Sequence, residues 1–208
     1  MKGTARFHRS EVQILYWLMI IENIWWVKMA TYNSNTIGDA LISLLNSGIN
    51  YGSSDVVSSL WDSYAGEEVR GYFKFDRATI LSIVGSGTIT SVVLYVYAEN
   101  NGAYGDAYKI KRCGDFTEST ITWATRPTNY EDSDASFPTI SYSWQTNDIT
   151  TLWNAQTSGS VFALNIECYT DGGFVRCHSK ENVSGNKAYL LITASATCTI
   201  PGCGFNIT

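Results

Sequence analysis

Three places in this chain of 208 residues set aromatic rings beside carboxylates and amides, a pairing suited to holding a sugar. A flat ring covers the axial hydrogens of a pyranose, while side-chain oxygens and amides bond its hydroxyls. Trp61 and Tyr64 flank Asp62; Tyr104 and Tyr108 lie among Asn100, Asn101 and Asp106; Tyr130 and Tyr142 belong to a long acidic segment. These six aromatics are the candidate ligand-binding residues, with ordinary packing beneath loops as the alternative for each.

The other reactive residue types carry less. Five cysteines suggest two bridges, Cys168 with Cys177 and Cys198 with Cys203, leaving Cys113 as a buried thiol. The competing reading is reduced, buried thiols throughout, because directly opposed strand cysteines bridge only with strain. No metal site is expected: the Cys198 to Cys203 spacing has no second pair and no nearby histidine to complete a zinc tetrahedron. Glu131-Asp132-Ser133-Asp134 has the oxygen density for calcium but lacks the glycine and closing glutamate of an EF-hand loop. The only histidines are His8 and His178, and no serine triad can be assembled from sequence, so no catalytic residue is assigned and a non-enzyme is expected.

The elements that must position these residues read as short strands. Charged residues make up only 16% of the chain, and it has three prolines and seventeen glycines, a composition of strands joined by polar turns. Net charge is −5 and the lysines and arginines are scattered, which excludes a phosphate-tracking surface and with it nucleic acid as a partner. Strands are expected over 39–43, 55–61, 69–77, 89–98, 108–113, 160–169, 174–180 and 188–194, with short helical turns at 78–84 and 151–155. In the third strand Val69, Gly71, Phe73 and Phe75 should face the core and Arg70, Tyr72, Lys74 and Asp76 the other side. Asp171-Gly172-Gly173 suggests a type I′ hairpin that would set Cys168 directly opposite Cys177. The segment from Arg126 to Ser143 reads as loop or edge.

The words Asp39-Ala40-Leu41-Ile42, Asn50-Tyr51-Gly52, Val69 to Asp76, Thr122-Trp123, Trp144 through Asp148-Ile149-Thr150 to Trp153, and Ser179-Lys180-Glu181 recur in an order that resembles the DNRLRE domain family. The resemblance spans roughly residues 39 to 193. It implies an antiparallel all-β sandwich of jelly-roll type, grouped with carbohydrate-binding modules on secreted and cell-surface proteins, and it makes Trp123, Trp144 and Trp153 core residues. The implied function is a non-catalytic surface module that binds polysaccharide or cell-surface glycan, or mediates adhesion, in an extracellular or surface-exposed setting. The alternative is a structural subunit of a virion, filament or other assembly, partnered by copies of itself or by other subunits. A neutral glycan suits the acidic balance better than a polyanionic one.

Three segments are expected: an apolar extension over 1–30, the sandwich over 31–196, and a cysteine-containing tail over 197–208. The run from Val12 to Val27 is far more apolar than anything after it and belongs to no family word. A signal or anchor, a start at Met29 with over-extended sequence upstream, and an assembly arm all remain open for it.

Overall fold

A computed structural model describes residues 26–101, 108–130 and 141–198. Ten strands and two short helices follow in the order β1 (Trp26–Asn35), β2 (Gly38–Ser43), β3 (Val56–Asp62), β4 (Glu67–Asp76), α1 (Arg77–Val84), β5 (Thr88–Asn101), β6 (Tyr108–Cys113), β7 (Ser141–Asp148), α2 (Thr150–Ala155), β8 (Val161–Cys168), β9 (Gly173–His178) and β10 (Tyr189–Cys198). Every pairing is antiparallel, within one continuous sheet that curls on itself.

The registers divide that sheet into two facing layers. One runs β2-β4-β8-β6 and the other β1-β10-β5-β7. The β3–β9 pair bridges them, because β3 continues from the end of β4 and β9 joins β5 beyond β10. Strand alternation explains why the layers close. Phe73 and Phe75 of β4, Phe162, Leu164 and Ile166 of β8, and Tyr108 and Ile110 of β6 point inward. They meet Val92, Leu94, Val96 and Ala98 of β5 and Leu190 and Ile192 of β10, all almost fully buried. This is the all-β antiparallel sandwich that the sequence leads one to expect.

Tyr72 departs from its expected surface position. The chain from 114 to 125 folds over the outer face of β2-β4-β8, so Tyr72 is buried with Ala40, Ile42, Cys113, Phe116, Ile121 and Ala163 in a second, smaller core. Its ring meets Phe116 edge-on at 5.6 Å.

The 169–172 turn is not the hairpin read from sequence. Both edges of β8 are already occupied, by β4 over Val161 to Glu167 and by β6 over Ala163 to Cys168, so β9 has no edge of β8 to join. The turn instead carries the chain across to β3. Cys168 therefore pairs with Tyr108, while Cys177 pairs with Val57 and Ala98, and the expected opposition of the two thiols does not occur. Cys113, Cys168 and Cys177 are free and buried. Of the two glycines expected in the turn, Gly172 alone has a positive φ, +73°. Gly173 serves close approach: a Cβ there would lie 2.2 Å from Cys168 Sγ.

Local chemistry fixes the two helices. The Asp76 carboxylate accepts from the Thr79 N–H at 2.9 Å and starts α1. Asp148 accepts from the Thr150 N–H at 2.9 Å at the start of α2, whose Trp153 seats against Phe162 in the core.

Candidate functional site

The two outer faces of the sandwich differ. One is covered by the 114–125 segment, whereas the other, formed by β10, β5 and β7, carries a row of partly exposed aromatic rings. Tyr95 and Tyr97 alternate outward from β5 because Val92, Leu94 and Val96 go inward. Pairing then aligns Trp144 of β7 with Tyr97 and Tyr189 of β10 with Tyr95.

Tyr95 stacks on Tyr189 with ring centres 4.6 Å apart. Trp144 meets Tyr97 at 5.6 Å and Tyr189 at 5.4 Å, both edge-on. Trp144 is 40% exposed, so its indole offers an open surface. Three adjacent strands make the row about 10 Å wide. Hydrogen-bonding side chains border it, with Asn35 directly opposite Tyr189 and Thr146 directly opposite Tyr95. Burial, then the neighbouring Tyr95, raises the Tyr189 phenol above its ordinary pKa, so that ring is neutral at physiological pH.

One end of the row is polar. The His178 ring lies 4.7 Å from Tyr97, its Nε2 is 3.0 Å from Glu99 Oε1, and its Nδ1 is 2.8 Å from Ser184 Oγ. With Nε2–H donating to Glu99, Nδ1 accepts the Ser184 hydroxyl proton. Arg176 Nε stands 2.8 Å from Glu99 Oε2.

A serine, a histidine and a carboxylate in line invite comparison with a hydrolase triad, which also needs N–H donors for an oxyanion. Here the Ser184 N–H is engaged by Asn182 Oδ1 at 2.9 Å and the Gly185 N–H by the Asn182 carbonyl at 3.2 Å. The arrangement ties the β9–β10 loop to the edge of the aromatic row. Asn182 itself is buried and donates to the Asp55 carbonyl at 3.1 Å.

The six aromatics expected from sequence are scattered. Tyr142 is 71% exposed, two residues before Trp144 on β7, and its carbonyl accepts from the Tyr97 hydroxyl. Among the described candidates it is the one that adjoins the row. Tyr64 is fully exposed at the tip of the β3–β4 turn, and Trp61 is half-buried against the core. Tyr130 is half-exposed, with the Arg112 guanidinium 4.2 Å from its ring centre. Tyr108 is a core residue, 1% exposed, whose hydroxyl donates to the Phe174 carbonyl and which has no surface to give a ligand. Tyr104, Cys203 and the Glu131 to Asp134 calcium candidate lie outside the described residues, as does the Cys198 side chain.

Trp144, expected in the core, is at the surface because β7 is an edge strand whose inward positions are Gln145 and Asn147. Trp153 is buried, and Trp123 is half-buried between the guanidinium groups of Arg70 and Arg126, 5.3 and 4.4 Å from its centre. Sequence reasoning missed Tyr95, Tyr97 and Tyr189 as surface groups. The signal was the alternation of aromatic with aliphatic residues along Val92 to Tyr97, which separates a core face from a solvent face.

Away from this face, oxygens of Asp39, Glu118 and Glu181 lie within 4.8 Å of one another. The Lys180 ammonium stands among them, 2.7 Å from Glu118 Oε1 and in contact with Glu181, and supplies the counter-charge.

The class these features define is an antiparallel β-sandwich with a row of partly exposed aromatic rings on one sheet face. Residues 30–194 match the model of carbohydrate-binding module family 96, and the chain belongs to that family. The match bears out the carbohydrate-binding part of the resemblance; it does not carry the DNRLRE name. No curated protein matches the chain.

Proposed function

We propose that the protein binds a neutral polysaccharide along the outer face of β10, β5 and β7, without catalysis. The observation that carries this is the row Trp144, Tyr97, Tyr95 and Tyr189, partly exposed on one sheet face of a chain in a carbohydrate-binding family. Rings at several depths of exposure stack on successive sugars, while Asn35, Thr146 and the Glu99–Arg176–His178 group bond hydroxyls. Glu99 is paired with Arg176, so that border carries little net charge and suits a neutral chain better than an anionic one. Polysaccharide is met outside the cell, and an extracellular or surface-exposed setting is part of the proposal. The family match supports sugar binding and adds nothing to the virion or filament alternative.

The test is affinity electrophoresis against glucan, mannan, galactan and xylan. Retardation by at least one is expected, with Trp144→Ala weakening it about tenfold, or about 1.4 kcal/mol. Equal mobility of Trp144→Ala and the unaltered protein in a retarding polysaccharide would remove this face as the site.

A further inference from the structure

A second feature lies where the end of β6 meets the α2–β8 loop, on elements that contribute nothing to the aromatic row. The strand end Arg112–Cys113, with Gly114, Asp115 and Tyr130, forms one wall of a cleft of about 490 Å³, and the loop from Ala155 to Val161 forms the other. That volume falls in the range of small-molecule sites, roughly 300–1,000 Å³. We infer that this cleft binds a single neutral hexopyranose, as the end residue of a glycan or as a free sugar.

The walls are held before any ligand arrives. Arg77, itself buried beneath the loop, donates to the Gln156 carbonyl at 2.8 Å and to the Gly159 carbonyl at 3.0 Å. Gln156 Nε2 donates to the carbonyls of Ser158 and Val161, at 2.9 and 2.6 Å, and the Ala78 N–H reaches the Ser160 carbonyl at 3.0 Å. Gly159 turns the loop with φ +92°. Opposite, the Tyr130 N–H donates to the Arg112 carbonyl at 2.9 Å and the Gly114 N–H to the Thr128 carbonyl at 3.1 Å. A loop pinned at this many points loses little entropy on binding.

The lining has the chemistry of a polyol site. Tyr130 supplies a half-exposed ring with the Arg112 guanidinium against it, Asp115 an exposed carboxylate whose Oδ1 takes the Phe116 N–H at 2.7 Å and the Lys74 ammonium at 3.5 Å, and Thr157, Ser158 and Ser160 exposed hydroxyl side chains. The carboxylate and the hydroxyls accept from and donate to vicinal sugar hydroxyls. Asp115 is balanced by the Lys74 ammonium 3.5 Å away, which suits a neutral sugar. Apolar side chains are too few here for a hydrophobic ligand.

Amide-resolved NMR titration with the methyl glycosides of glucose, galactose and mannose tests this inference. For at least one, saturable shifts in the millimolar range are expected at Tyr130 and across residues 157–160. They should disappear in Tyr130→Ala and in Ser158→Trp, which fills the mouth from an exposed loop position, and persist in Trp144→Ala. Unchanged strand resonances report that each variant is folded. No saturable shift at these residues with any of the three glycosides, or shifts that survive both cleft variants, would overturn the inference. Either result leaves the sheet-face proposal standing, because that proposal is read by polysaccharide retardation and Trp144→Ala.

Discussion

Asp39 is where burial and charge conflict most sharply. It is 1% exposed, and burial first raises its carboxyl to about 7, with Glu181 and Glu118 adding to the rise against the Lys180 N–H and ammonium. The folded pKa lies above the ordinary 3.8, so Asp39 contributes stability that is complete below about pH 4 and lost as pH rises through about 7. Asp39→Asn keeps an acceptor for the Lys180 N–H, now 2.7 Å from Asp39 Oδ2, and removes the titration. Its unfolding free energy should exceed that of the unaltered protein near pH 8, by up to a few kcal/mol, and the two should converge towards about pH 4. A constant difference across that window would contradict the assignment. The thiols give a second residue-scale expectation. Burial pushes Cys177 up to about 12 and raises Cys113 and Cys168, and only the thiolate is nucleophilic. Iodoacetamide near pH 8 should leave all three unlabelled in the folded protein and modify them on unfolding, as read by mass spectrometry. Rapid labelling of Cys177 in the folded state would be the contrary result.

Among the elements, β4 was the most legible and β1 and β7 the least. Val69, Gly71, Phe73 and Phe75 announce a buried face by strict alternation, and all four are buried. Gly71 is needed there, because a Cβ would lie 2.6 Å from Val57 Cγ1 and 3.2 Å from Ser58 O, where β3 crosses. Gly71→Ala should cost about 1–3 kcal/mol in chemical denaturation, and a loss within experimental error would contradict this packing. β7 carried no such signal, since its inward residues are the amides Gln145 and Asn147. β1 hid for a related reason: Thr31 to Asn35 reads as a polar linker, yet the strand pairs with β10 along its whole length and buries Ser34, with Tyr32 against the core. The 169–172 turn misled in the opposite direction. Gly172 is a real turn residue, but a local turn signal cannot say that distant strands already hold both edges of β8.

At the scale of the molecule, the sandwich separates its two outer surfaces by what covers them. Where 114–125 folds back, a second core forms and Tyr72 disappears; among the described residues no such segment lies across β10-β5-β7, whose aromatic side chains are partly exposed. Fold class could be read from strand patterns together with the family resemblance, whereas the site required the pairing registers, because Trp144, Tyr97, Tyr95 and Tyr189 come from three strands spread over ninety-odd residues of chain. That juxtaposition is the central claim, and it is tested most directly by isothermal titration of a retarding neutral oligosaccharide into the unaltered protein, Trp144→Ala and Tyr97→Ala. Each variant should bind about tenfold more weakly while unfolding at an unchanged denaturant midpoint. Full affinity in both variants would place the glycan elsewhere and contradict the sheet-face account.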